Sequence, residues 1–293
     1  ANLSFANGYN LDGTTNEALI KEAVANASQA EVVVVNLGIT GKMAGEDRAL
    51  ARPEIPEYQI ELLKALQKTG KPVVALVTSG RPLVLTKIQP LVSSILQCWI
   101  LGTETGNAVA DVVSGVYNPS AKTVMTFPYD VGQIPVYYNR FKTGRPFEGA
   151  TDPNWKSRYR DMPNDPLFPF GFGLSYTRFD FSDFKLSSPT TTRGGSVTAS
   201  VTVTNSGKFE GEEVVQLYIR DLVASSIRPV KELKGFEKIS LKPGESKTVQ
   251  FTLSDKDLSF FDNDGNPVLE PGIFHIFVGP DSKNTSQLNL ELK

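Results

Sequence analysis

The chain has 293 residues, 40% hydrophobic and 21% charged, ordinary proportions for a globular protein of roughly two domains. Its 30 Lys and Arg against 32 Asp and Glu leave a formal charge of −2, which argues against a nucleic-acid binder, because neutralising phosphates needs a basic excess, and against polybasic docking on a membrane. One cysteine, Cys98, and one histidine, His275, exclude an internal disulfide framework and argue against Cys- or His-built zinc sites and Ser-His-Asp triads. If the chain is an enzyme, carboxylates are the expected acid–base groups, with Tyr and Lys behind them, and no metal or cofactor is expected. No apolar run approaches the roughly 18 residues of a membrane span. The opening Ala1-Asn2-Leu3-Ser4-Phe5 has neither a Met start nor the basic and apolar regions of a signal peptide, so residue 1 reads as a processed or cut end.

In chain order, residues 16–29 place Leu19, Ile20, Ala23, Val24 and Ala27 on one helical face. The β-branched run Val32-Val33-Val34-Val35-Asn36-Leu37-Gly38 predicts a strand buried on both faces. Pro56 stands at a helix N1 position, Ile60, Leu63 and Leu66 follow, and Gly70 ends the segment. Residues 73–77 and 94–100 predict two further strands, the latter carrying Cys98 as a buried small hydrophobe and Trp99 as sheet core. A helix over 107–114 stops at Gly115, and 123–127 predicts a fourth strand. This alternation implies a mostly parallel sheet sandwiched by helices. From about Gln133 to Ser175 the chain is rich in Pro, Gly, Tyr, Arg and Asp without periodicity, as a functional or connecting stretch would be. Beyond it, the alternation of residues 197–204 and short apolar runs at 214–219, 246–253, 273–279 and 288–292, punctuated by Pro243-Gly244, Asp264-Gly265 and Pro271-Gly272, predict an all-β sandwich of fibronectin type III-like kind. The expected domains are 1–140, an α/β sandwich; 141–178, an irregular connecting segment; and 179–293, the fibronectin type III-like domain.

The chemistry-bearing cluster is Gly41-Lys42-Met43-Ala44-Gly45-Glu46-Asp47-Arg48. It follows the first predicted strand, and open parallel sheets bind ligands outside the carboxyl ends of their strands. From the residues alone, a Glu-Asp-Arg triplet in a loop is usually just solvated charge. Met43 either lines a subsite or packs the loop. Asp47, Arg48 and Arg52 either position Glu46, bind a ligand hydroxyl or hold the loop as ion pairs. In the irregular stretch, Tyr137, Tyr138, Arg145, Trp155, Arg158, Tyr159 and Asp161 combine flat aromatic faces with charged hydrogen-bonding groups, either a ligand platform or a clasp whose aromatics fill a seam. His275 sits in an ordinary strand pattern. Asp262-Asn263-Asp264-Gly265-Asn266 lacks the distal Glu of a calcium loop and fits a hairpin turn. Gly102-Thr103-Glu104-Thr105-Gly106 is the one candidate phosphate cradle of a flavodoxin-like binder, and its Glu would repel phosphate.

Four stretches resemble the C-terminal part of glycoside hydrolase family 3, the β-glucosidase and β-xylosidase family. They are Gly102-Thr103-Glu104-Thr105-Gly106-Asn107-Ala108 running on to Tyr117-Asn118-Pro119-Ser120; Phe168-Pro169-Phe170-Gly171-Phe172-Gly173-Leu174-Ser175-Tyr176-Thr177; Val203-Thr204-Asn205-Ser206-Gly207 with Gly211-Glu212-Glu213-Val214-Val215-Gln216-Leu217-Tyr218; and Arg228-Pro229-Val230-Lys231-Glu232-Leu233-Lys234-Gly235-Phe236. Within the family the chain resembles the periplasmic-type bacterial β-glucosidases. The resemblance implies a (β/α)8 barrel, an α/β sandwich and a fibronectin-like domain, of which this chain matches the last two, the α/β sheet lacking its first strand. It implies a retaining, exo-acting β-glycosidase that releases terminal β-linked sugars from oligosaccharides or aryl β-glycosides. It further implies a nucleophilic Asp on the barrel, outside this chain, and an acid/base Glu on a sandwich loop, here Glu46, with Glu54 and Glu57 as fallbacks. Met43, Arg48, Arg158 and Tyr159 are the expected substrate contacts. The expected partner is the N-terminal barrel part of the same enzyme, without which the fragment would be inactive, and the expected setting is periplasmic or secreted. A β-xylosidase of the same family and a non-catalytic glycan-binding or scaffolding module are the competing readings.

Overall fold

The computed structural model describes residues 2–10, 12–147 and 154–293. They fall into two compact units, one of residues 1–110, 127–134 and 165–167, the other of 111–126, 135–164 and 168–293. The expected connecting segment 141–178 thus includes six residues, 148–153, outside the described ones.

The first unit is an α/β layer. Helix α1 (Glu17–Gln29) starts where the Asn16 side chain accepts from Leu19 N at 2.9 Å, and it buries Ala23 and Ala27 on the face expected of it. Strand β1 (Val33–Gly38), helix α2 (Glu57–Gln67), β2 (Val73–Thr78), β3 (Ser94–Gln97) and α3 (Thr105–Ser114) follow. The strands form a parallel sheet in the order β1-β2-β3, and α1 packs against α2. One sheet face, with Val35, Leu37, Val73, Ala75 and Val77, is buried. The other, with Val34, Asn36 and Ser94, is open, so β1 alternates between buried and exposed residues instead of being buried on both faces. Two further expectations change. The third strand ends at Gln97, since Trp99 has φ 53° and turns the chain out of the sheet; its half-buried ring tilts against Phe127 at 5.8 Å. Residues 123–127 form no ladder; Thr123 exchanges backbone bonds with Phe172 and Gly171 at 2.7 and 2.8 Å, so this stretch pairs with an irregular partner rather than a sheet edge.

The second unit holds β4 (Phe179–Leu186), β5 (Thr190–Thr191), β6 (Ser196–Asn205), β7 (Gly211–Asp221), β8 (Glu232–Leu241), β9 (Ser246–Ser254), helix α4 (Asp255–Leu258), β10 (Phe260–Phe261), β11 (Pro267–Val268), β12 (Gly272–Gly279) and β13 (Ser286–Leu292). Sheets β5-β13-β12-β7-β8 and β4-β6-β9 enclose a core from alternate residues, among them Val197, Ala199, Val201 and Val203 of β6, Leu217 and Ile219 of β7, and Phe274 and Ile276 of β12. Asp262 accepts from the amides of Asp264 and Asn266 at 2.9 and 2.8 Å between β10 and β11, the hairpin turn that the sequence indicated.

Buried polar side chains tie the irregular stretches to this sandwich. Gln216 donates to Gly171 O at 3.1 Å and to Pro280 O at 2.5 Å, and accepts from Tyr218 Oη at 2.5 Å. A side chain at Gly171, φ +81°, would come within 2.1 Å of Gln216. Tyr138 stacks on Phe170 at 4.4 Å and meets Tyr218 edge-on, which places it in a seam rather than on a sugar platform. Lys231, pulled down to about 8 by burial, donates to Ser282 O and Thr285 Oγ1 at 2.5 and 2.8 Å and lies 4.5 Å from the Phe277 ring centre. Lys122 Nζ sits 2.6 Å from Glu213 Oε1, both nearly buried, and burial still pushes Glu213 above the usual carboxylate range.

That last pair makes a pH-dependent prediction. Lys122→Met leaves Glu213 buried without its cation, a loss of about 3–5 kcal/mol near neutral pH. Because the folded-state pKa of Glu213 is raised, the penalty is absent below the ordinary Glu pKa and grows as pH rises through the folded value. Urea unfolding at about pH 4.5 and pH 7.5 should therefore show the variant close to wild type at the lower pH and well below it at the higher.

Candidate functional site

Three strand ends, at Gly38, Thr78 and Gln97, define the carboxyl edge of the parallel sheet. The chain leaves β1 there into the loop 39–56, which returns directly into α2. Its far end is anchored by Pro53 and Ile55, both buried, by Val84 N donating to Pro53 O at 2.8 Å and by the bridge between Glu54 and Val84. Its near end is fixed at Gly38. Gln59, in the first turn of α2 and 1% exposed, accepts from Gly38 N at 2.8 Å and donates to Gly38 O at 2.9 Å. One amide side chain therefore satisfies both polar groups of the last residue of β1. Gly38 has φ +141°, and a Cβ there would lie 2.0 Å from Thr78 O, so no other residue type fits. Beside it, Tyr9 donates to Asn36 O at 2.8 Å and packs edge-on against Tyr58; burial pushes Tyr9 up to about 12, which keeps it a donor.

Inside the loop, Met43 N and Ala44 N donate to Thr40 O at 2.9 and 3.1 Å, and Arg48 N donates to Gly45 O at 3.1 Å. Residues 45–48 thus form a tight turn with Glu46 and Asp47 at its two central positions. Glu46 is exposed, and no hydrogen bond or ion pair engages its carboxylate among the described residues. Arg48 spans the loop. Its Nη1 donates to Gly41 O at 2.5 Å, its Nε lies 3.4 Å from Asp47 Oδ1, and its own carbonyl accepts from Arg81 at 3.4 Å. Met43 is half-buried. The two fallback carboxylates are occupied, Glu54 with Lys87 and Glu57 with Lys64, both at 3.5 Å.

Met43, Glu46 and Arg48 are therefore gathered on one braced loop of the first unit. Arg158 and Tyr159 belong to the second unit. Arg158 lies over the Phe147 ring at 5.6 Å, and its Nε is buried with no hydrogen-bond partner. Tyr159 N donates to Asn164 Oδ1 at 3.0 Å. Tyr137, Trp155 and Tyr159 are exposed, Trp155 in the left-handed region at φ 58°. Among the described residues no group of three or more His, Cys, Asp or Glu could hold a metal ion. His275 is a half-buried strand residue, held below its usual value by burial and then by Arg220. The residue that sequence reasoning passed over is Gln59. Its signal was present: it precedes Leu63 and Leu66 by four and seven residues, which puts a polar side chain on the apolar face of a helix.

A family model described as the glycosyl hydrolase family 3 C-terminal domain matches residues 5–176, and one described as a fibronectin type III-like domain matches residues 213–282. A periplasmic β-glucosidase of Salmonella typhimurium is 50% identical over 96% of this chain, and a β-xylosidase of Formosa agariphila is 44% identical over 96%. These alignments take in 37% and 38% of the two relatives, so the chain spans well under half their length. The crystal structure of a β-glucosidase from Listeria innocua in complex with isofagomine matches with a TM-score of 0.90 at 40% identity, over 95% of this chain and 39% of that one.

The loop geometry generates a prediction about Arg48. Arg48→Ala removes a brace worth about 1 kcal/mol at a largely exposed site, so the melting temperature should barely move. Amide hydrogen exchange at Ala44 and Arg48 should speed up roughly fivefold, while exchange in β2 stays unchanged.

Proposed function

The chain belongs to glycoside hydrolase family 3, and from that premise we propose that it is the C-terminal part of a retaining, exo-acting β-glycosidase in which Glu46 is the general acid/base. A nucleophilic Asp on a (β/α)8 barrel outside this chain attacks the anomeric carbon. Glu46 gives its proton to the glycosidic oxygen as the bond to the leaving group breaks. In the second step the Glu46 carboxylate takes a proton from water, whose oxygen displaces Asp and frees the sugar. Such a pair works with its carboxyl groups about 5–5.5 Å apart. The observation that carries the reading is the position of Glu46: an exposed carboxylate at the head of a braced turn, at the carboxyl edge of the sheet, while Glu54 and Glu57 are tied up in ion pairs.

The same reading makes the barrel-bearing part the partner of this chain. The open face of the β-sheet, with Val34 and neighbouring Val32 half exposed, supports a covering partner there. An exposed Glu46 also lacks the desolvated surroundings that favour a general acid, so those surroundings come from the barrel and the bound sugar, and the fragment alone is inactive. Met43 and Arg48, on the same loop as Glu46, are the proposed contacts to sugar hydroxyls and ring faces. The substrate is a terminal β-glucoside, supported by the Salmonella relative, whose name also supports a periplasmic setting. The Formosa β-xylosidase supports xylose as the second reading, and the ratio of nitrophenyl β-glucoside to β-xyloside hydrolysis decides between them.

In the barrel-bearing form, Glu46→Gln should lower kcat/KM for disaccharides about 10²–10⁴-fold. Substrates with a dinitrophenolate leaving group, which departs without protonation, should keep kcat/KM within about tenfold, and azide should raise their turnover by replacing water in the second step. Unchanged hydrolysis of disaccharides would remove Glu46 from the acid/base role.

A further inference from the structure

We propose that Gln59 is the positioning residue of the acid/base, holding the Glu46 turn at the sheet edge by tying the end of β1 to the start of α2. The proposal rests on the reading of Glu46 as acid/base. Gln59 touches neither sugar nor Glu46. It acts on the backbone from which the loop departs.

Three observations carry it. First, Gln59 is 1% exposed, so its two bonds to Gly38 N and O form away from water and have no solvent substitute. Second, the bonds are reciprocal. The amide oxygen accepts from Gly38 N and the amide nitrogen donates to Gly38 O, which sets the orientation of that peptide as well as its position. Third, the loop 39–56 has its two ends at the residues Gln59 joins, Gly38 and the first turn of α2, where Gln59 N donates to Pro56 O at 3.0 Å. A loop closed in this way has little freedom at its stems, and Ile39 N donating to Thr78 O at 3.2 Å continues the guidance for one more residue. The internal bonds of the loop then fix the turn 45–48 relative to those stems. A rotation of the Gly38 peptide would move all of them together, carrying the acid away from the glycosidic oxygen. Acid catalysis is sensitive to displacements of about 1 Å, which can cost on the order of 100-fold.

Two substitutions separate positioning from packing. Gln59→Leu keeps the volume and removes both bonds. Gln59→Glu offers a titratable copy: the neutral carboxyl can donate to Gly38 O and accept from Gly38 N, whereas the carboxylate has no proton to donate and sets its charge against a carbonyl oxygen. In this chain, Gln59→Leu should speed amide exchange at Gly38 and through residues 39–48 about tenfold or more while the amides of β2 stay protected. In the barrel-bearing form, it should lower kcat/KM for disaccharides about 10- to 100-fold and leave dinitrophenyl glycosides within about threefold. Gln59→Glu should behave as wild type at low pH and acquire the same leaving-group sensitivity as pH rises and the new carboxyl ionises, against the pH profile of the unsubstituted enzyme. Wild-type exchange at Gly38 in Gln59→Leu, or an equal loss on both substrate types that follows the melting temperature, would overturn the proposal. Leaving-group selectivity that is absent in Glu46→Gln as well would instead overturn the acid/base reading on which the catalytic half rests. The exchange result tests the clamp without that reading.

Discussion

A parallel strand that ends inside a protein leaves a backbone amide and a carbonyl that must find partners, and in the first unit both fall to Gln59. The arrangement admits only glycine at position 38, because the chain there adopts φ +141° against the carbonyl of Thr78. It brings the first turn of α2 to the end of β1, closes the loop 39–56, and so sets the place from which Glu46 projects. The buried face of α2 completes the constraint. Ile60, Leu63 and Leu66 bury alongside Gln59, so the hydrophobic effect that docks the helix also delivers the amide to its target.

The second unit uses the same physics in several places. Asn205, fully buried, donates to Phe209 O and Leu241 O and accepts from Thr177 Oγ1 and Gly207 N. Asn118 donates to Glu210 O and accepts from Ser175 Oγ and Tyr176 N. With Gln216 on Gly171 and Lys231 on the 282–285 turn, these side chains account for one knot in each of the stretches that carry the family resemblance. Those stretches are read here as architecture: saturated polar side chains that order irregular backbone with no ladder of its own. Glu46, the carboxylate proposed as acid/base, lies outside all four.

That separation has a physical basis. A buried polar side chain specifies one geometry because every wrong alternative leaves an unpaired group. An acid that must meet a substrate cannot be saturated in the same way. Glu46 is left exposed on its turn, and the polar groups around it, Arg48 with Gly41 and Asp47, and Arg81 with the Arg48 carbonyl, hold one another. The frame is rigid where the chain is buried and open where a sugar would arrive.

How much of this could be read in the sequence follows from the range of the interactions involved. The helix 17–29, the alternation of β6 and the Asp262 turn depend on residues a few positions apart, and their patterns were legible. Strand β4 was not, although it also alternates, because a bulge with Asp183 at φ 53° breaks its register. The run 32–38 looked buried on both faces, and only the packed structure shows that one face of β1 is open. Trp99 read as sheet core until its left-handed backbone took it out of β3. The residues of the Glu46 loop were singled out from their types and from the family resemblance. The contacts that brace them span longer distances in sequence, from Gly38 to Gln59, Pro53 to Val84 and Arg48 to Arg81. The sequence by itself indicated the two kinds of secondary structure and, through its motifs, the family, and it singled out Glu46 as a candidate by that resemblance, because periodicity, turn chemistry and motif are local. Tertiary structure alone decided which polar side chain closes the loop and which carboxylates are already taken, because those outcomes depend on which distant backbone groups burial leaves in need of a partner.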